Sequence, residues 1–457
     1  MGNDESGESR EIGVNLITPP CTVRKLRQAL HSKANRSPDC RFYLLYDKVY
    51  RRDVLAMAYE RCRANGGAPG IDGQTFEDIE LDGRERWLDE LAETLRTKTY
   101  RPQAVRRVSI PKADGKQRPL GIPTITDRVV QMAVVLVLEP IFEADLQPEQ
   151  YAYRAGRSAL DAVQHVHRLL KSGHCQVVDA DLSGYFDSIP HADLMKSVAR
   201  RISDRHLLHL IKAWLEMPVE ELTPRGERRR TTENRERGRG TPQGAPISPL
   251  LANVYMRRFI LGWKVLGHEQ RLRAHIVNYA DDFVICCRGT ADEAMTAMRS
   301  IMEKLKLTVN ETKTHICRLP EETFDFLGYT FGRFYSTRNG RPYLGLRPSK
   351  KSIKQICRTI SDLTGCQRTL ISTDRTVELL NRTLRGWANY FSLRLGPLTR
   401  AYDVVDAHTR RRLRQWLRRK HRERTCGNGR YSREYLYQEL KLLELRPNRH
   451  RFWKATE

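Results

Sequence analysis

Apolar residues recur at spacings of three and four positions through most of the chain, which predicts amphipathic helices. The helices are expected at 22–65, 87–98, 127–139, 158–171, 192–217, 248–261, 291–305 and 379–393. Shorter apolar runs, some of them alternating with polar residues, predict strands. The strands are expected at 105–111, 118–123, 175–181, 276–277, 283–287, 324–331 and 341–346. The chain is therefore expected to combine many helices with short strands.

Turn residues predict two exposed hairpins. Asp114-Gly115 is typical of a tight turn between the strands 105–111 and 118–123. The charged stretch 219–239 is expected to form a second hairpin, centred on Pro224-Arg225-Gly226.

A third hairpin carries two adjacent acids, in Tyr279-Ala280-Asp281-Asp282. Two carboxylates on adjacent residues repel one another and raise each other's pKa unless a cation neutralises them. Asp181 ends an earlier strand, and Asp179 shares its strand face as a weaker candidate. A strand aspartate beside a hairpin with one or two more is the arrangement that holds two Mg²⁺ ions for nucleotidyl transfer. The alternative is an ordinary solvated turn, but the tyrosine and the apolar flanks favour the metal site.

The charge balance adds a partner to this chemistry. The net charge of +25 comes from 80 Lys and Arg against 55 Asp and Glu in 457 residues. A solvated basic surface is one explanation. An excess of this size favours polyanion binding, because phosphate backbones supply much of the affinity through counterion release.

Composition also argues against several classes of protein. No run of about 18 apolar residues is present, so no membrane span is expected. The N-terminus lacks a basic stretch followed by an apolar core, which argues against a secretory signal. Ten cysteines are scattered without a Cys-x-x-Cys pair, which argues against a zinc site and favours a reduced, cytosolic setting.

Six ordered blocks of sequence resemble those of group II intron reverse transcriptase–maturases. The blocks are Ile110-Pro111-Lys112 with Arg118-Pro119-Leu120-Gly121-Ile122-Pro123, Asp181-Leu182-Ser183-Gly184-Tyr185-Phe186-Asp187, Gly240-Thr241-Pro242-Gln243-Gly244 with Ser248-Pro249-Leu250-Leu251-Ala252-Asn253, Tyr279-Ala280-Asp281-Asp282, Asn310-Glu311-Thr312-Lys313-Thr314, and Phe326-Leu327-Gly328-Tyr329. They cover about residues 60–330, and the similarity extends to about 420. Six blocks in one order are far more specific than any single motif.

The resemblance implies an α+β fold, a right-hand polymerase with fingers, a palm with an antiparallel sheet, and an α-helical thumb. The expected domains are a disordered N-terminus at 1–20, an N-terminal helical extension at 21–65, fingers and palm at 66–335, a thumb/maturase domain at 336–400, and a basic C-terminal nucleic-acid-binding segment at 401–457. Many relatives end in an HNH-type endonuclease with clustered cysteines and histidines. Only Cys426 follows the thumb here, so DNA nicking by this chain is not expected.

The same resemblance assigns a polymerase site. Asp181, Asp281 and Asp282 are implied to be the catalytic ligands of two Mg²⁺ ions. The implied dNTP-binding residues are Lys112, Arg118, Tyr185, Gln243, Gly244 and Lys313. Lysine and arginine match the oxygens of a triphosphate, although two cations on an exposed hairpin can also be merely solvated. Lys116 is a weaker candidate for the same work.

Two assignments leave alternatives open. Tyr185 resembles the aromatic residue that packs under the sugar and disfavours a 2′-hydroxyl, but Phe186 is the alternative if Tyr185 belongs to the core. In the thumb-like segment, Arg385 and Trp387 are candidates for RNA binding. Trp387, with Tyr390 and Phe391, has the helical spacing of core packing as well.

The basic tracts near the C-terminus are stronger candidates for nucleic-acid binding, because a solvated helix normally mixes charge signs. The candidates are Arg410, Arg411, Arg412, Arg414, Arg418, Arg419 and Lys420. The arginine-rich stretch 225–239 is a further candidate for contact with intron RNA or the template duplex.

The expected function is RNA-directed DNA synthesis, with binding of a group II intron RNA, assistance to its splicing, and copying into cDNA. The expected partners are that RNA, an RNA template with a DNA primer, dNTPs and target DNA, in a bacterial cytoplasm and at the nucleoid. One alternative is a related reverse transcriptase recruited to host defence, such as CRISPR adaptation. A splicing factor with an inactive polymerase and an RNA-synthesising polymerase are the others; the intact acids and the aromatic sugar gate argue against them.

Overall fold

The computed structural model describes residues 20–111, 117–222, 228–242, 244–336, 339–393, 399–423 and 430–445. The helices are α1 Cys21–Arg36, α2 Tyr46–Val49, α3 Arg52–Asn65, α4 Phe76–Asp82, α5 Arg84–Arg96, α6 Ile125–Glu143, α7 Ala159–Lys171, α8 Tyr185–Ser188, α9 His191–Ala199, α10 Arg205–Leu215, α11 Glu233–Arg237, α12 Ser248–Val265, α13 His268–Arg271, α14 Ala291–Lys304, α15 Lys350–Leu363, α16 Thr373–Tyr390 and α17 Thr399–Lys420. The strands are β1 Val105–Pro111, β2 Gln117–Ile122, β3 Gln176–Asp181, β4 Val219–Leu222, β5 Arg228–Thr231, β6 Ala274–Tyr279, β7 Asp282–Cys287, β8 His315–Arg318, β9 Phe324–Phe326, β10 Tyr329–Tyr335 and β11 Pro342–Pro348.

The strands form three sheets. The central sheet has the order β6-β7-β3-β8, and all its pairings are antiparallel. A second sheet has the order β2-β1-β4-β5, and a third has the order β11-β10-β9. In the second sheet β1 pairs with β4 in parallel, so the two hairpins predicted separately from the sequence share one sheet.

Local polar groups decide where several helices begin. Ser158 and Asp161 form a capping box at the start of α7, and the Thr124 side chain accepts from the Asp127 N–H at the start of α6. Asp204 caps α10 and also accepts from the backbone N–H groups of Leu45 and Tyr46. A buried carboxylate at this position divides the helix predicted at 192–217 into α9 and α10.

Two other predicted elements are also divided. The helix predicted at 22–65 contains a loop between α1 and α2, because Phe42 leaves the helical path to pair with the backbone at Ile202. The strand predicted at 324–331 turns at Leu327 and Gly328, which both have positive φ. The predicted turn Asp114-Gly115 lies outside the described residues.

The apolar residues form three core clusters. The first joins α1 to α6, α9, α10, α12 and α14 with one face of the central sheet. The second joins α7 and the third sheet with the opposite face of the central sheet. The third joins α15, α16 and α17 with the segment 431–445. Among the described residues, no helix has the length and apolar character needed to cross a membrane.

Candidate active site

The three aspartates meet at one end of the central sheet. Asp181, at the end of β3, lies directly opposite Asp282, the first residue of β7. Side chains of directly opposed residues in antiparallel strands have Cβ atoms about 5 Å apart. Asp281 occupies the tight turn that joins β6 to β7, immediately before Asp282. The structure therefore brings together three acids that the sequence separates by a hundred residues.

The turn at Asp281 is held in an uncommon conformation. Ala280 has a φ of 58°, which non-glycine residues seldom adopt. The buried Asn278 donates from Nδ2 to the carbonyl of Ala280 at 2.9 Å and so braces the turn from below. The strain is local and fixes the direction of the acidic pair.

Alternation along the strands decides which face the acids occupy. Val178 and Ala180 of β3 lie in the first core, with α9 and α12. Val177 lies in the second core, with α7, so Asp179 and Asp181 point to that same side. Asp181 and Asp282 are thus on the sheet face that carries the third sheet and α7.

A lysine and an asparagine contact Asp181. Lys313 Nζ lies 3.0 Å from Oδ2, and Asn310 Nδ2 donates to the same oxygen at 2.9 Å. The backbone N–H of Asn310 also donates to the Asp181 carbonyl at 2.9 Å. Both side-chain contacts go to Oδ2 and fix the carboxylate of Asp181 at the end of β3.

Crowding changes the acidity of this cluster. Burial and the charges of Asp281 and Asp181 raise the pKa of Asp282 to about 6, although its side chain stays open to solvent on one side. Burial raises the pKa of Asp179 to about 7, with further contributions from Asp282, Asp325 and Asp181. Carboxyls that resist ionisation beside one another favour a bound cation.

The donor set suits a hard divalent ion. Asp181, Asp281 and Asp282 offer only carboxylate oxygens, which are the protein ligands that Mg²⁺ prefers. Within the described ranges, no three His, Cys, Asp or Glu side chains converge closely enough to form a finished metal cage. Mg²⁺ is usually held by one or two protein carboxylates together with several waters. Asp181 and Asp282, which are paired across β3 and β7, are donors of the type that fits this ion.

The residues predicted to bind dNTP are only partly described. Lys112, Lys116 and Gln243 lie outside the described residues. The backbone of Arg118 lies on β2 opposite Ile110 of β1. Gly244 has a φ of 105°, and a Cβ there would come within 2.5 Å of the Gly121 carbonyl. A glycine is required at 244 because the chain presses against β2.

Comparison with known proteins agrees with this geometry. Residues 110–331 match the reverse transcriptase (RNA-dependent DNA polymerase) family, and residues 353–435 match the group II intron maturase-specific domain. Protein YkfC of Escherichia coli is 32% identical over 369 residues, which is 72% of this chain and 93% of that protein. The chain belongs to the group II intron reverse transcriptase–maturase family. It is therefore an RNA-directed DNA polymerase by family.

Two further relatives are longer than this reverse transcriptase. The group II intron-encoded protein LtrA of Lactococcus lactis is 28% identical over 63% of this chain and 56% of its own length. A 91 kDa protein in the cob intron of Schizosaccharomyces pombe is 25% identical over 76% of this chain and 50% of its own. The chain thus spans about half of the length of these two relatives.

One solved structure, a partial Cas6-RT-Cas1–Cas2 complex, aligns with 57% of this reverse transcriptase and 41% of its own chain. Its identity is 22% and its TM-score is 0.34, values too low to favour a CRISPR role.

The structure favours Phe186 over Tyr185 as the sugar-facing aromatic residue of the reverse transcriptase. Tyr185 is 2% exposed, and its hydroxyl donates to the Ala252 carbonyl at 2.7 Å. A ring held inside the first core has no surface to present to a nucleotide. Phe186 is only partly buried, on the edge of that core. The primary prediction for Tyr185 is therefore corrected to core packing.

Trp387 also belongs to the core of the reverse transcriptase. Its ring lies 4.9 Å from that of Phe391 and 5.8 Å from that of Tyr402, between the second and third cores. Its indole nitrogen is buried and has no hydrogen-bond partner among the described residues. The ring is partly buried against both cores, and its predicted stacking on bases stays a prediction. Arg385 is exposed on the same helix, α16, and remains available.

Most of the basic residues on α17 make contacts within the protein. Arg412 donates to the carbonyls of Ser361 and Thr364 at the end of α15, at 2.9 and 3.1 Å. Lys420 Nζ donates to the carbonyls of Thr369 and Ile371. These cations satisfy the orphan carbonyls of a helix end and of a turn, a role that cations suit.

The remaining candidate cations of α17 differ in their contacts and exposure. Arg414 donates to the Tyr431 carbonyl at 2.8 Å, and Arg410 donates to the Tyr437 hydroxyl at 3.1 Å. The Nε atom of Arg418 is buried. Arg411 and Arg419 are exposed. Arg410, Arg412, Arg414 and Lys420 thus make hydrogen bonds within the protein, whereas Arg411 and Arg419 are exposed. The predicted nucleic-acid contacts of these residues and of Arg418 stay predictions.

Three positioning residues were not predicted as such. Asn310 holds the Asp181 carboxylate, and Asn278 braces the turn before Asp281. Lys351, in the first turn of α15, lies near enough to Asp282 to lower its pKa against the other influences. Asn310 lay inside a recognised block, three residues before Lys313. No sequence pattern linked Lys351 to the hairpin, because tertiary contacts place it there: Ser349 and Ser352, beside it in the chain, both donate to the Gly328 carbonyl.

Proposed function

We propose that this reverse transcriptase copies a group II intron RNA into DNA by two-metal nucleotidyl transfer and binds the same RNA to assist its splicing. The observation that carries the proposal is the register that sets Asp181 opposite Asp282. It supports one polymerase centre rather than two unrelated acidic turns. When bound, Mg²⁺ at these carboxylates would lower the pKa of the primer 3′-hydroxyl and neutralise the triphosphate.

The residues around the acids have separable tasks. Asn310 and Lys313 hold the carboxylate of Asp181 in one orientation. The exposed ammonium of Lys313 is placed to meet negative charge that develops on a leaving pyrophosphate. Phe186 is the residue proposed to face the sugar and exclude a ribose 2′-hydroxyl. The hairpin β1–β2, which carries Arg118, is proposed to grip the triphosphate together with Lys112.

The proposed layout follows the three cores. The sheet with β1 and β2 corresponds to fingers, the central sheet to a palm, and the helices from α15 onward to a thumb with the maturase domain. The third core includes residues on both sides of the predicted boundary at 400/401, which favours one helical unit there. Target DNA binding and action at the nucleoid are part of the same proposal.

The test is primer extension on poly(rA) with oligo(dT), with Mg²⁺ and dTTP. Asp281→Asn and Asp282→Asn should each reduce the rate by about 10³-fold or more, because each removes a charged metal ligand. Affinity for RNA should stay within about twofold. Asp89→Asn is the control, since Asp89 is 69% exposed on α5, away from the sheet. Extension at the wild-type rate in both active-site variants would refute the assignment.

A separate experiment tests the intron partner. RNA that co-purifies with the protein would be sequenced and folded. A group II ribozyme among the recovered sequences, spliced faster in the presence of the protein, is the expected result. Recovery of only CRISPR-derived RNA would instead favour the host-defence alternative.

A further inference from the structure

A cavity lies apart from the three aspartates of the candidate active site. It has a volume of about 590 Å³ and is bordered by the end of α6, by α9, by α12 and by the loop before α2. Volumes of roughly 300–1,000 Å³ are typical of ligand pockets. Five of its lining residues are cations: Arg41, Lys196, Arg200, Arg257 and Arg258. Asp145 is the acid among the described residues that line it.

The cavity lies on the other side of the central sheet from the polymerase centre. α9 and α12 pack in the first core, against Val178 and Ala180. Asp181 alternates with these residues and points to the opposite face. A ligand in the cavity would therefore leave the polymerase centre accessible.

Carboxylates do not balance the cations around this cavity. Asp145 is shared by Arg200 and Arg201, at 3.1 and 3.4 Å. Asp193, at the rim, is shared by three cations. These are Lys306 at 2.9 Å and Lys196 and Arg258, each at 3.9 Å. Asp145 and Asp193 thus share five cations between them, two at Asp145 and three at Asp193, so the local charge stays positive.

Two further arginines are anchored by backbone carbonyls. Arg257 Nε donates to the Asp145 carbonyl at 2.7 Å, and Arg41 Nε donates to the Ala199 carbonyl at 3.1 Å. A guanidinium held through Nε keeps its two terminal nitrogens directed outward as a planar fork, which matches the oxygens of a phosphate. Burial lowers the pKa of Arg257, and Arg200 and Arg201 add to this effect against the opposing charge of Asp145.

We propose that this cavity binds phosphate groups of an RNA backbone, at a site separate from the polymerase centre. Lys196 and Arg200 extend the positive surface beyond the mouth, with side chains 80% and 50% exposed. An open, extended cationic rim suits a chain of phosphates better than a single anion. That the ligand is RNA rests on the proposed function, whereas the anion chemistry rests on the residues alone.

A purely structural role for these cations is the competing explanation. Arg201 illustrates it, because its guanidinium is buried and donates to the Ala34 carbonyl at 2.8 Å. Lys196 does not follow this pattern, since its ammonium lies 3.9 Å from Asp193 at an exposed site. Such a surface pair contributes little to stability.

The test compares two triple variants that remove equal charge. The cavity variant is Arg41→Gln, Lys196→Gln and Arg258→Gln. The control is Arg86→Gln, Arg96→Gln and Arg271→Gln, whose side chains are 82%, 63% and 59% exposed. Filter binding to bulk transfer RNA as the structured probe would be measured over a range of salt. The cavity variant should bind about tenfold more weakly, with a log–log salt slope smaller by about 2–3, because each phosphate contact contributes roughly 0.7–0.9.

Two further measurements identify the source of the phosphate and guard against misfolding. Tripolyphosphate binding by calorimetry should be weak and nearly unchanged by the variant. If tripolyphosphate bound tightly at one site, and the cavity variant lost this binding but kept its RNA affinity, the RNA assignment would be overturned. Lys196→Glu alone, at an exposed position, should reproduce part of the RNA defect without lowering the melting temperature.

Equal RNA affinities and slopes in the cavity and control variants would refute the site. Extension of oligo(dT) on poly(rA) should remain within about twofold of wild type in the cavity variant. Wild-type extension by Asp282→Asn would refute the polymerase assignment and leave the anion site standing, so the two proposals fail separately.

Discussion

An ion pair joins Lys313 to Asp181, with Nζ 3.0 Å from Oδ2. The lysine neutralises one of three clustered carboxylates and competes with a metal for it. Lys313→Met should therefore lower the Mg²⁺ concentration needed for half-maximal primer extension. The maximal rate should fall about 10- to 100-fold, because a cation near the leaving group is lost. Titration of extension rate against Mg²⁺ separates the two effects.

Lys313→Arg is the matched control for this prediction, since it keeps the charge. It should retain most of the rate and the wild-type Mg²⁺ dependence. Because Lys313 is 64% exposed, the ion pair should change the free energy of unfolding by less than about 1 kcal/mol in either variant. An unchanged Mg²⁺ requirement in Lys313→Met would show that the pair does not compete with the metal.

Substitutions at Phe186 and Tyr185 should have different effects: the first should change nucleotide selectivity, and the second should change the free energy of unfolding. Phe186→Val should increase ribonucleotide incorporation relative to deoxyribonucleotide incorporation, because a smaller side chain leaves room for a 2′-hydroxyl. Tyr185→Phe removes the hydrogen bond from the hydroxyl to the Ala252 carbonyl, which keeps its bond within α12, and should cost about 0.5–1.5 kcal/mol. Single-nucleotide insertion assays and urea unfolding of both variants provide the readouts. Relaxed selectivity in Tyr185→Phe with wild-type selectivity in Phe186→Val would reverse the assignment.

Asp179 should make the protein less stable as the pH rises. Its pKa is raised from 3.8 to about 7 in the folded state. Below about pH 4 the group is protonated in both states. Between pH 4 and 7 the unfolded chain releases the proton while the folded protein keeps it, so the free energy of unfolding decreases with pH and then levels off.

Asp179→Asn should remove this dependence. The variant should be more stable than wild type at pH 8, by about 1–3 kcal/mol, and nearly equal to it at pH 4. Asp282, with a pKa of about 6, adds a term of the same sign. Urea unfolding in EDTA at a series of pH values measures how the free energy of unfolding depends on pH. Parallel pH profiles for wild type and Asp179→Asn would contradict the raised pKa.

Arg412 and Arg411 are neighbours on α17 with different expected roles. Arg412→Gln removes hydrogen bonds to the end of α15 and should lower the free energy of unfolding by about 1–3 kcal/mol. Arg411→Gln, at an exposed position, should leave stability within about 0.5 kcal/mol and weaken RNA binding. Thermal melts and RNA filter binding distinguish them. A stability loss confined to Arg411→Gln would show that the capping assignment is wrong.

Gly244→Ala should disturb the contact between the loop before α12 and β2. The new Cβ would approach the Gly121 carbonyl to 2.5 Å, and alanine tolerates a φ of 105° poorly. The expected result is a raised KM for dNTP together with a lower melting temperature. Gly238→Ala is the control, because it also has positive φ but nothing lies within 4 Å of its added Cβ. Equal effects at both positions would indicate backbone strain alone.

The elements predicted from periodicity agree well with the structure where the hydrophobic pattern is strong. The strand 105–111 has the predicted bounds, and α7, at Ala159–Lys171, starts one residue after the start predicted for it. The pairing of Asp181 with the hairpin followed from chemistry, since adjacent acids need a cation. Longer predicted segments failed where one buried polar residue, such as Asp204, offered the backbone better partners than a continuing helix.

The side-chain roles were harder to predict. Tyr185 and Phe186 are adjacent, and only the backbone of α12 shows which ring is enclosed. The arginines of α17 suggested a binding surface because a run of one charge sign is unusual on a helix. Their partners are backbone carbonyls at helix ends and turns, and residue types in a sequence do not show which carbonyls need a partner. Electrostatic pattern alone therefore overstated the number of cations open to RNA.

The parallel pairing of β1 with β4 makes one plate of two hairpins. At one edge of the plate is β2, and at the other is β5, whose sequence Arg228–Thr231 is rich in arginine. The strand proposed to contact the triphosphate and the arginine-rich strand thus belong to one hydrogen-bonded sheet, although about a hundred residues separate them in the chain.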